Sequence, residues 1–436
     1  MVVDCFVFIE SVGKSWDHLS VGKRSMYQRV WKRKASVLES DLSPVLLVSP
    51  VKEIVSVFDL SAPLRVPNVK SLKLMGPKPI NNRQQAVADD LVEGQFGLFG
   101  ALSALIRDNQ ELGQLKSDLA QSLVMSKAPN TFNKYMPLVS KWQEFAQRLS
   151  KPAFPADNVL FVLYLQKLKN VATEKGTKGS AVSDTVYAVD FAHRLRGLDL
   201  PGKFEPIRLL CCAVKRSLSR PGVKKRPVTK DEVARMIDFA VPDFSDIDLM
   251  GVRAALFAVL AFCLEARYDD LCDLRLSSFF DYGDYIVVFI EHRKTDQYRE
   301  GQFVPIFDSG EKRGACAFIR AVLPLLGFGS GESSLHIFRR VGNGSKCGKY
   351  MRPEPLSYSR VRELVRDLLE GIGLNPNDHG LHSFRSGAAT HAANQPDISD
   401  RQWGKHGGWA DGSTAQSGYV LDSAQQALVV PKALAL

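Results

Sequence analysis

Between Lys215 and Arg226 the chain reads Lys-Arg-Ser-Leu-Ser-Arg-Pro-Gly-Val-Lys-Lys-Arg, with six basic residues in twelve and no acidic one. Such a stretch does not enter a core, because unpaired buried cations are too costly to desolvate. Its Pro-Gly pair also prevents a continuous helix. It reads as an extended basic linker over 215–228, with separate folded bodies on either side. Six cations on such a strap (Lys215, Arg216, Arg220, Lys224, Lys225 and Arg226) suit a nucleic-acid backbone, since each phosphate neutralised releases counterions. The alternative is a plain solvated hinge. The whole chain leans the same way: its 436 residues carry a net charge of +10, which favours a polyanionic partner, nucleic acid first.

Several classes are disfavoured. The longest apolar run, Ala254 to Leu264, has eleven residues, whereas a membrane span needs about 20. No membrane association is expected, and the run reads as a buried helix. The opening segment lacks a basic leader and is interrupted by Asp4, unlike a secretory signal. Seven cysteines (Cys5, Cys211, Cys212, Cys263, Cys272, Cys316 and Cys347) are odd in number and contain no C-x-x-C. They read as reduced thiols of an intracellular protein. His379, His382 and His391 have no cysteine or carboxylate spacing that completes a metal site, so neither metal nor cofactor is expected.

The length leaves room for two or three domains at about 150 residues each. Residues 1–81 form an N-terminal extension whose fold is not legible. Within it Lys23, Arg24, Lys32, Arg33 and Lys34 interleave with Tyr27 and Trp31. This is a localisation signal, a DNA-contacting arm or a solvated helix face. Residues 82–127 form a helical segment of one or two helices. Residues 128–214 read as a compact four-helix domain. Its first helix carries Phe132, Tyr135, Val139, Trp142, Phe145 and Leu149 at three- and four-residue steps. A second follows Asp157 and is expected to bury Val159, Leu160, Val162, Leu163 and Leu168. A third, capped by Ser180 or Ser183, carries Val182, Val186, Val189 and Leu195. A fourth carries Ile207, Leu210, Val214 and Leu218.

Beyond the linker, Thr229 and Glu232 form a capping box that opens a second domain over 229–422. The Gly251–Leu264 run should be its central helix. Tyr285 to His292 and Gln302 to Phe307 read as strands of a hairpin, and helices follow at 316–326, 357–371 and 383–394. Residues 423–436 form a C-terminal tail in which Pro431 should end a short helix. The fold class is mainly α with a small antiparallel β-sheet.

The chemistry lies in the second domain. Arg267 stands in Leu-Glu-Ala-Arg-Tyr-Asp-Asp, Lys294 on the hairpin, and His382 and Arg385 in an H-x-x-R box; a Gly-Gly-Trp segment and Tyr419 follow. Planar guanidinium groups grip two phosphate oxygens at once. A tyrosine oxygen is a nucleophile once its proton is taken, and a lysine or histidine can hand a proton to a departing oxygen. In this order the residues over 128–422 resemble the tyrosine recombinase (phage integrase) family. The long N-terminal region and Gly-Gly-Trp variant resemble recombinases of eukaryotic mobile elements.

The resemblance implies a four-helix core-binding domain followed by a mixed α/β catalytic domain. It implies that Arg267, Lys294, His382, Arg385, Trp409 and Tyr419 are catalytic. Asp270 matches the acidic residue following the first arginine, and His406 rivals Trp409 for its position. Glu265-Ala266 stands where small residues such as Thr-Gly are common. Tyr268, Tyr298, Tyr350 and Tyr358 are misplaced for the nucleophile. The implied reaction is cleavage and rejoining of double-stranded DNA through a 3′-phosphotyrosine, without metal or ATP, by a homo-tetramer on paired sites. The implied location gives access to DNA, the nucleus in a eukaryote. Two other readings use the same residues: a type IB topoisomerase-like relaxing enzyme, and a non-catalytic DNA-binding derivative of a recombinase.

Overall fold

The structure is a computed structural model that describes residues 64–69, 72, 74, 79–106, 109–220, 222, 224–242, 249–296, 299–311, 313–326, 334–344, 348–410, 412–421 and 427–434. The basic-aromatic segment at 23–34, Cys5, Cys347, Tyr298 and Ala424 lie outside the described residues. The fold is mainly helical with a small antiparallel sheet. The chain divides into two compact units. One runs from Met75 to Lys224; the other contains Lys225–Leu436 and the described residues before Met75.

Among the described residues the first unit holds seven α-helices: α1 (Asn82–Glu93), α2 (Gly97–Ile106), α3 (Gln110–Val124), α4 (Pro129–Arg148), α5 (Asn158–Glu174), α6 (Ser180–Arg196) and α7 (Glu205–Leu218). The expectation of a four-helix domain beside a separate 82–127 segment is corrected here. Phe132, Met136 and Val139 of α4 and Phe191, Ala192 and Leu195 of α6 share one core with Ala88, Leu91, Phe99, Ala120 and Val124 of α1–α3. Trp142 and Ala146 of α4 share a second core with Phe161, Leu165, Val182, Val186, Ile207 and Val214. One apolar stripe thus serves two cores at its two ends, which a periodicity count does not separate.

Two further expectations fail on α5 and α6. Val159 and Leu163 are 65% and 60% exposed; the buried stripe runs instead through Phe161, Tyr164, Leu165 and Ala172. The α6 N-cap is Gly179, without a side-chain cap, whereas Asp157 does cap α5 by accepting from Val159 N and Leu160 N. The linker also starts later than read: α7 continues to Leu218, so Lys215 and Arg216 stand in its last turn.

In the second unit Thr229 and Glu232 cap α8 (Lys230–Ala240) reciprocally, at 2.8 and 3.2 Å. Helix α9 (Leu249–Cys263) is the centre, and every residue from Val252 to Ala261 is buried. Among them is Arg253, whose guanidinium donates to the Arg339 carbonyl. Packed in the same core are α8, α11 (Ala315–Leu325), α12 (Tyr358–Gly371), the start of α13 (His382–Ala393) and one face of a three-stranded antiparallel sheet. The sheet runs β1 (Phe279–Asp281), β2 (Tyr285–Ile290), β3 (Gln302–Phe307), with Val288 opposite Val304. All six residues of β2 are buried, so the strand is part of the domain's core. The backbone N–H of Arg65 donates to the Tyr285 hydroxyl at 3.0 Å, which ties part of the N-terminal extension to this unit.

The sequence reading missed a second hairpin, β4 (Arg339–Gly344) with β5 (Gly348–Pro355), and the short helix α14 (Asp400–His406). The hairpin lacks apolar alternation, the signal on which strand reading depends. Pro431 does not end a helix. It lies in the first turn of α15 (Val429–Ala433), where its missing N–H is no loss.

Candidate active site

Each side chain of the expected set is positioned by a chain reversal or a helix start. Helix α9 stops at Cys263, and Glu265 adopts left-handed backbone with φ of 45°. That turn brings Arg267 to the N-cap of α10 (Tyr268–Cys272). Buried Asp270 fixes the arginine twice: Oδ2 accepts from Arg267 N at 3.0 Å and lies 3.9 Å from Nη1.

From β2 the chain enters the hairpin connection through Arg293, which is 2% exposed. Arg293 donates from Nη1 to the Gly407 carbonyl at 2.6 Å and from Nη2 to the Leu264 carbonyl at 3.1 Å. Thr295 Oγ1 donates to the Gly408 carbonyl at 2.9 Å. Gln302 Nε2 donates to the Lys405 carbonyl at 2.7 Å. Lys294, between Arg293 and Thr295, is exposed. The hairpin that carries it is thus clamped to the turn after α14.

His382 opens α13 and is exposed, while Arg385, one turn on, is 0% exposed. Arg385 donates from Nη1 to the Glu265 carbonyl and from Nη2 to the Gly407 carbonyl, the latter at 2.9 Å. The sequence suggested a guanidinium fork free for phosphate. Instead each Nη uses one N–H on a backbone carbonyl, and Nε has no partner. Its planar face lies on the Trp409 ring, with Cζ 3.8 Å from the centroid, a cation–π contact.

Close approach explains the two glycines before Trp409. A Cβ on Gly407 would meet the Trp409 ring and stand 2.5 Å from Glu265 Oε2. Gly408 has φ of 68°, and a Cβ there would stand 2.6 Å from Arg293 Cδ. The turn then delivers Trp409 against Trp403, ring centroids 5.4 Å apart.

Tyr419 ends a short 3-10 turn (Ser417–Tyr419) that is docked on α13. Its carbonyl accepts from Ser386 Oγ at 2.6 Å and from Thr390 Oγ1 at 3.4 Å, and Leu421 N donates to Thr390 Oγ1 at 3.0 Å. Its ring lies 5.4 Å from Trp409 and 5.3 Å from Arg385 Cζ.

Arg385, Trp409 and Tyr419 are therefore in mutual contact. Arg267, Arg385 and Lys294 are within electrostatic reach of His382: partial desolvation, then Arg267, Arg385 and Lys294, hold its imidazole below its usual value, with Asp269 opposing. His382 is accordingly neutral at pH 7. Burial, then Arg267 and Arg293, pull Arg385 down to about 9, against Asp270 and Tyr419. His406 is not in the cluster: its Nε2 lies 2.8 Å from the Cys263 carbonyl. Among the described residues no group of three or more His, Cys, Asp or Glu side chains could hold a metal ion.

Buried atoms of Arg267 (Nη1), Arg385 (Nε) and Trp409 (Nε1) have no hydrogen-bond partner. A buried orphan donor costs about 1–3 kcal/mol. Arg385 and Trp409 lie against Tyr419, and an oxyanion there would satisfy such donors.

The sequence reading missed Arg293, Ser386 and Thr390, which hold the site rather than react in it. Arg293 is hidden in a basic triplet with His292 and Lys294, and nothing in residue order marks it as the buried member. The Gly-Gly pair was a visible signal of close backbone approach.

Of the linker cations, Lys225 and Arg226 belong to the second unit and do not join the cluster. Arg226 N donates to the Asp378 carbonyl at 2.8 Å, and Val228 N to the Ser383 carbonyl at 3.0 Å. Lys225 Nζ donates to the Asn377 carbonyl, and Arg226 pairs with Glu232 at 2.6 Å. The end of the linker is thereby pinned beside the start of α13, yet Lys224, Lys225 and Arg226 stay exposed.

No family model and no curated protein matches the chain. Among solved structures the chain is similar to recombinases and integrases, the class its sequence resembles. XerH site-specific recombinase bound to palindromic difH substrate is 13% identical, covering 81% of this chain and 93% of that one, with a TM-score of 0.45. A lambda integrase tetramer bound to a Holliday junction is 16% identical over 77% and 85%, with a TM-score of 0.44. XerA recombinase is 16% identical over 73% and 97%, with a TM-score of 0.35.

Proposed function

We propose that this protein is a site-specific DNA recombinase or integrase that cleaves and rejoins strands through a 3′-phosphotyrosine. The observation that carries the reading is the packing of Tyr419 against Trp409 and Arg385, residues from three separate segments, beside orphaned buried donors.

In this reading the Tyr419 oxygen attacks the scissile phosphorus. Its proton passes to neutral His382. As the new P–O bond forms, the bond to the 5′-oxygen breaks, and Lys294 gives that oxygen a proton. Arg267, Arg385 and the Trp409 indole stabilise the growing charge on the non-bridging oxygens; removing one such donor costs roughly 3–4 kcal/mol. The phosphotyrosine conserves the bond energy, so attack by a 5′-hydroxyl from another strand reverses the step. The partner is double-stranded DNA, and exchange between paired sites takes four protomers.

Tyr419→Phe removes one hydroxyl and should leave duplex binding intact. Incubation with random-sequence duplexes, followed by sequencing of covalently attached DNA, should yield adduct from the wild type and none from the variant. Wild-type levels of adduct from Tyr419→Phe would remove Tyr419 as nucleophile.

A further inference from the structure

One buried ionisable group beneath the clamp takes no part in that mechanism. Glu265 is 3% exposed, and its Oε2 has no hydrogen-bond partner. That oxygen occupies the space a side chain on Gly407 would need: a Cβ there would stand 2.5 Å from it. The Gly407 carbonyl receives both Arg293 and Arg385, and the Glu265 carbonyl receives Arg385 as well. The carboxyl therefore lies under the joint of two buried guanidinium groups.

Arg385 and Arg293 are the charges that act on it directly, and Arg267 and Asp270 act in turn on those two guanidinium groups. Arg385 is on α13 and Arg293 on the hairpin. Arg267 and Asp270 are at the start of α10. His406, at the end of α14, is held by the carbonyl of Cys263, the last residue of α9. Arg267, Arg293 and Arg385 against Asp270 leave two positive charges on largely buried side chains. An ionised Glu265 reduces them to one.

We propose that Glu265 is a proton-linked counter-charge of the phosphate clamp, which takes up a proton when a phosphodiester lies on Arg267 and Arg385. The identity of the anion as DNA phosphate rests on the recombinase reading; the proton linkage does not. Solvent supplies the proton, which binds a carboxylate oxygen, and no other bond changes.

Two effects combine. Burial pushes the Glu265 carboxyl up to about 7, with Arg385 and then Arg293 holding it back. An arriving anion engages those guanidinium groups and repels the carboxylate, so it raises the carboxyl further. Without an anion, Glu265 relieves repulsion among the arginines. With one, it withdraws its own charge, and the two remaining positive charges face the phosphate as attack proceeds. Glu265 is thus a positioning residue that acts through Arg385 and Arg293.

Sulfate is the probe, because it mimics the phosphate geometry and does not titrate near neutrality. Infrared difference spectra of wild type against Glu265→Gln, taken across about pH 5 to 9, should contain one protonated-carboxyl band with a midpoint near neutrality. Saturating sulfate should move that midpoint up by about one pH unit. If the variant does not fold, carbon NMR of wild type with labelled glutamate carboxyls should find one glutamate titrating far above the rest and responding to sulfate. Ordinary titration of every glutamate, or a raised group indifferent to sulfate, overturns the proposal.

A kinetic arm excludes a purely structural role. Wild-type adduct formation should decline as pH rises through the Glu265 transition, and Glu265→Gln should lack that limb; the same limb in the variant counts against Glu265. Adduct formation without a sulfate-responsive carboxyl overturns this inference alone. A sulfate response in a protein that forms no adduct upholds the proton linkage and removes the recombinase reading.

Discussion

Arg267 and Arg385 look equivalent in the sequence, yet they are held in different ways. Arg267 is oriented by one carboxylate; Arg385 holds two backbone carbonyls together while lying on an indole. Lysine at either position keeps the charge and loses the fork. Each variant should lose about a hundredfold to a thousandfold in cleavage, the roughly 3–4 kcal/mol of one preorganised donor. Only Arg385→Lys should also lower thermal stability, by about 1–3 kcal/mol for the carbonyl left without its donor. Parallel adduct assays and melting curves separate the two effects, and equal melting temperatures would argue against the structural role of Arg385.

Glu265 gives a second prediction at this scale. Its native carboxyl titrates near 7 against a reference value of 4.5, so between those values the folded state binds the extra proton. Stability therefore falls as pH rises through that window. Glu265→Gln lacks the linkage, so it should gain roughly 3 kcal/mol on wild type between pH 4.5 and 8. Denaturant unfolding at the two pH values measures it; a difference that does not change with pH would contradict the burial argument.

At the scale of elements, α13 is the platform. It presents His382 and Arg385 from its first turns and holds the Tyr419 segment through Ser386 and Thr390. The position of Tyr419 thus depends on two hydroxyls to which the proposed mechanism gives no chemical role. Thr390→Val keeps the shape and removes the acceptor for Leu421 N. Loss of about 1 kcal/mol, as for one hydrogen bond, should reduce adduct formation several-fold while duplex binding stays constant in a gel-shift assay. Unchanged adduct formation would show that Ser386 and the aromatic contacts suffice.

The linker end is also an element with two roles. Lys224→Ala should lower the salt slope of duplex binding by about 0.9 if it touches one phosphate. Arg226→Ala should instead destabilise the fold, because it leaves the buried Glu232 carboxyl without its cation. Salt titrations and melting curves of the two variants test this division.

At the scale of the molecule, the two units were legible in outline. A basic Pro-Gly stretch separates them, a capping box opens the second, and an apolar run forms its centre. These are local signals, carried by residues within a few turns of one another. What the sequence by itself determined is accordingly local: α9 as the buried helix, the β2–β3 hairpin, the Asp157 and Thr229 caps, and the order of the residues that resemble a recombinase site. What only the tertiary structure decided is where distant polar atoms meet. Arg293 reaches Gly407 across 114 positions, and Arg385 reaches Glu265 across 120. The division of α4 and α6 between two cores, and the recruitment of α1–α3 into one of them, are likewise set by packing partners far along the chain. Periodicity says that a face is buried, not what buries it. A charged residue's type says that it needs compensation, but the compensating carbonyls and carboxylates are chosen only when the chain closes on itself and brings distant donors and acceptors together.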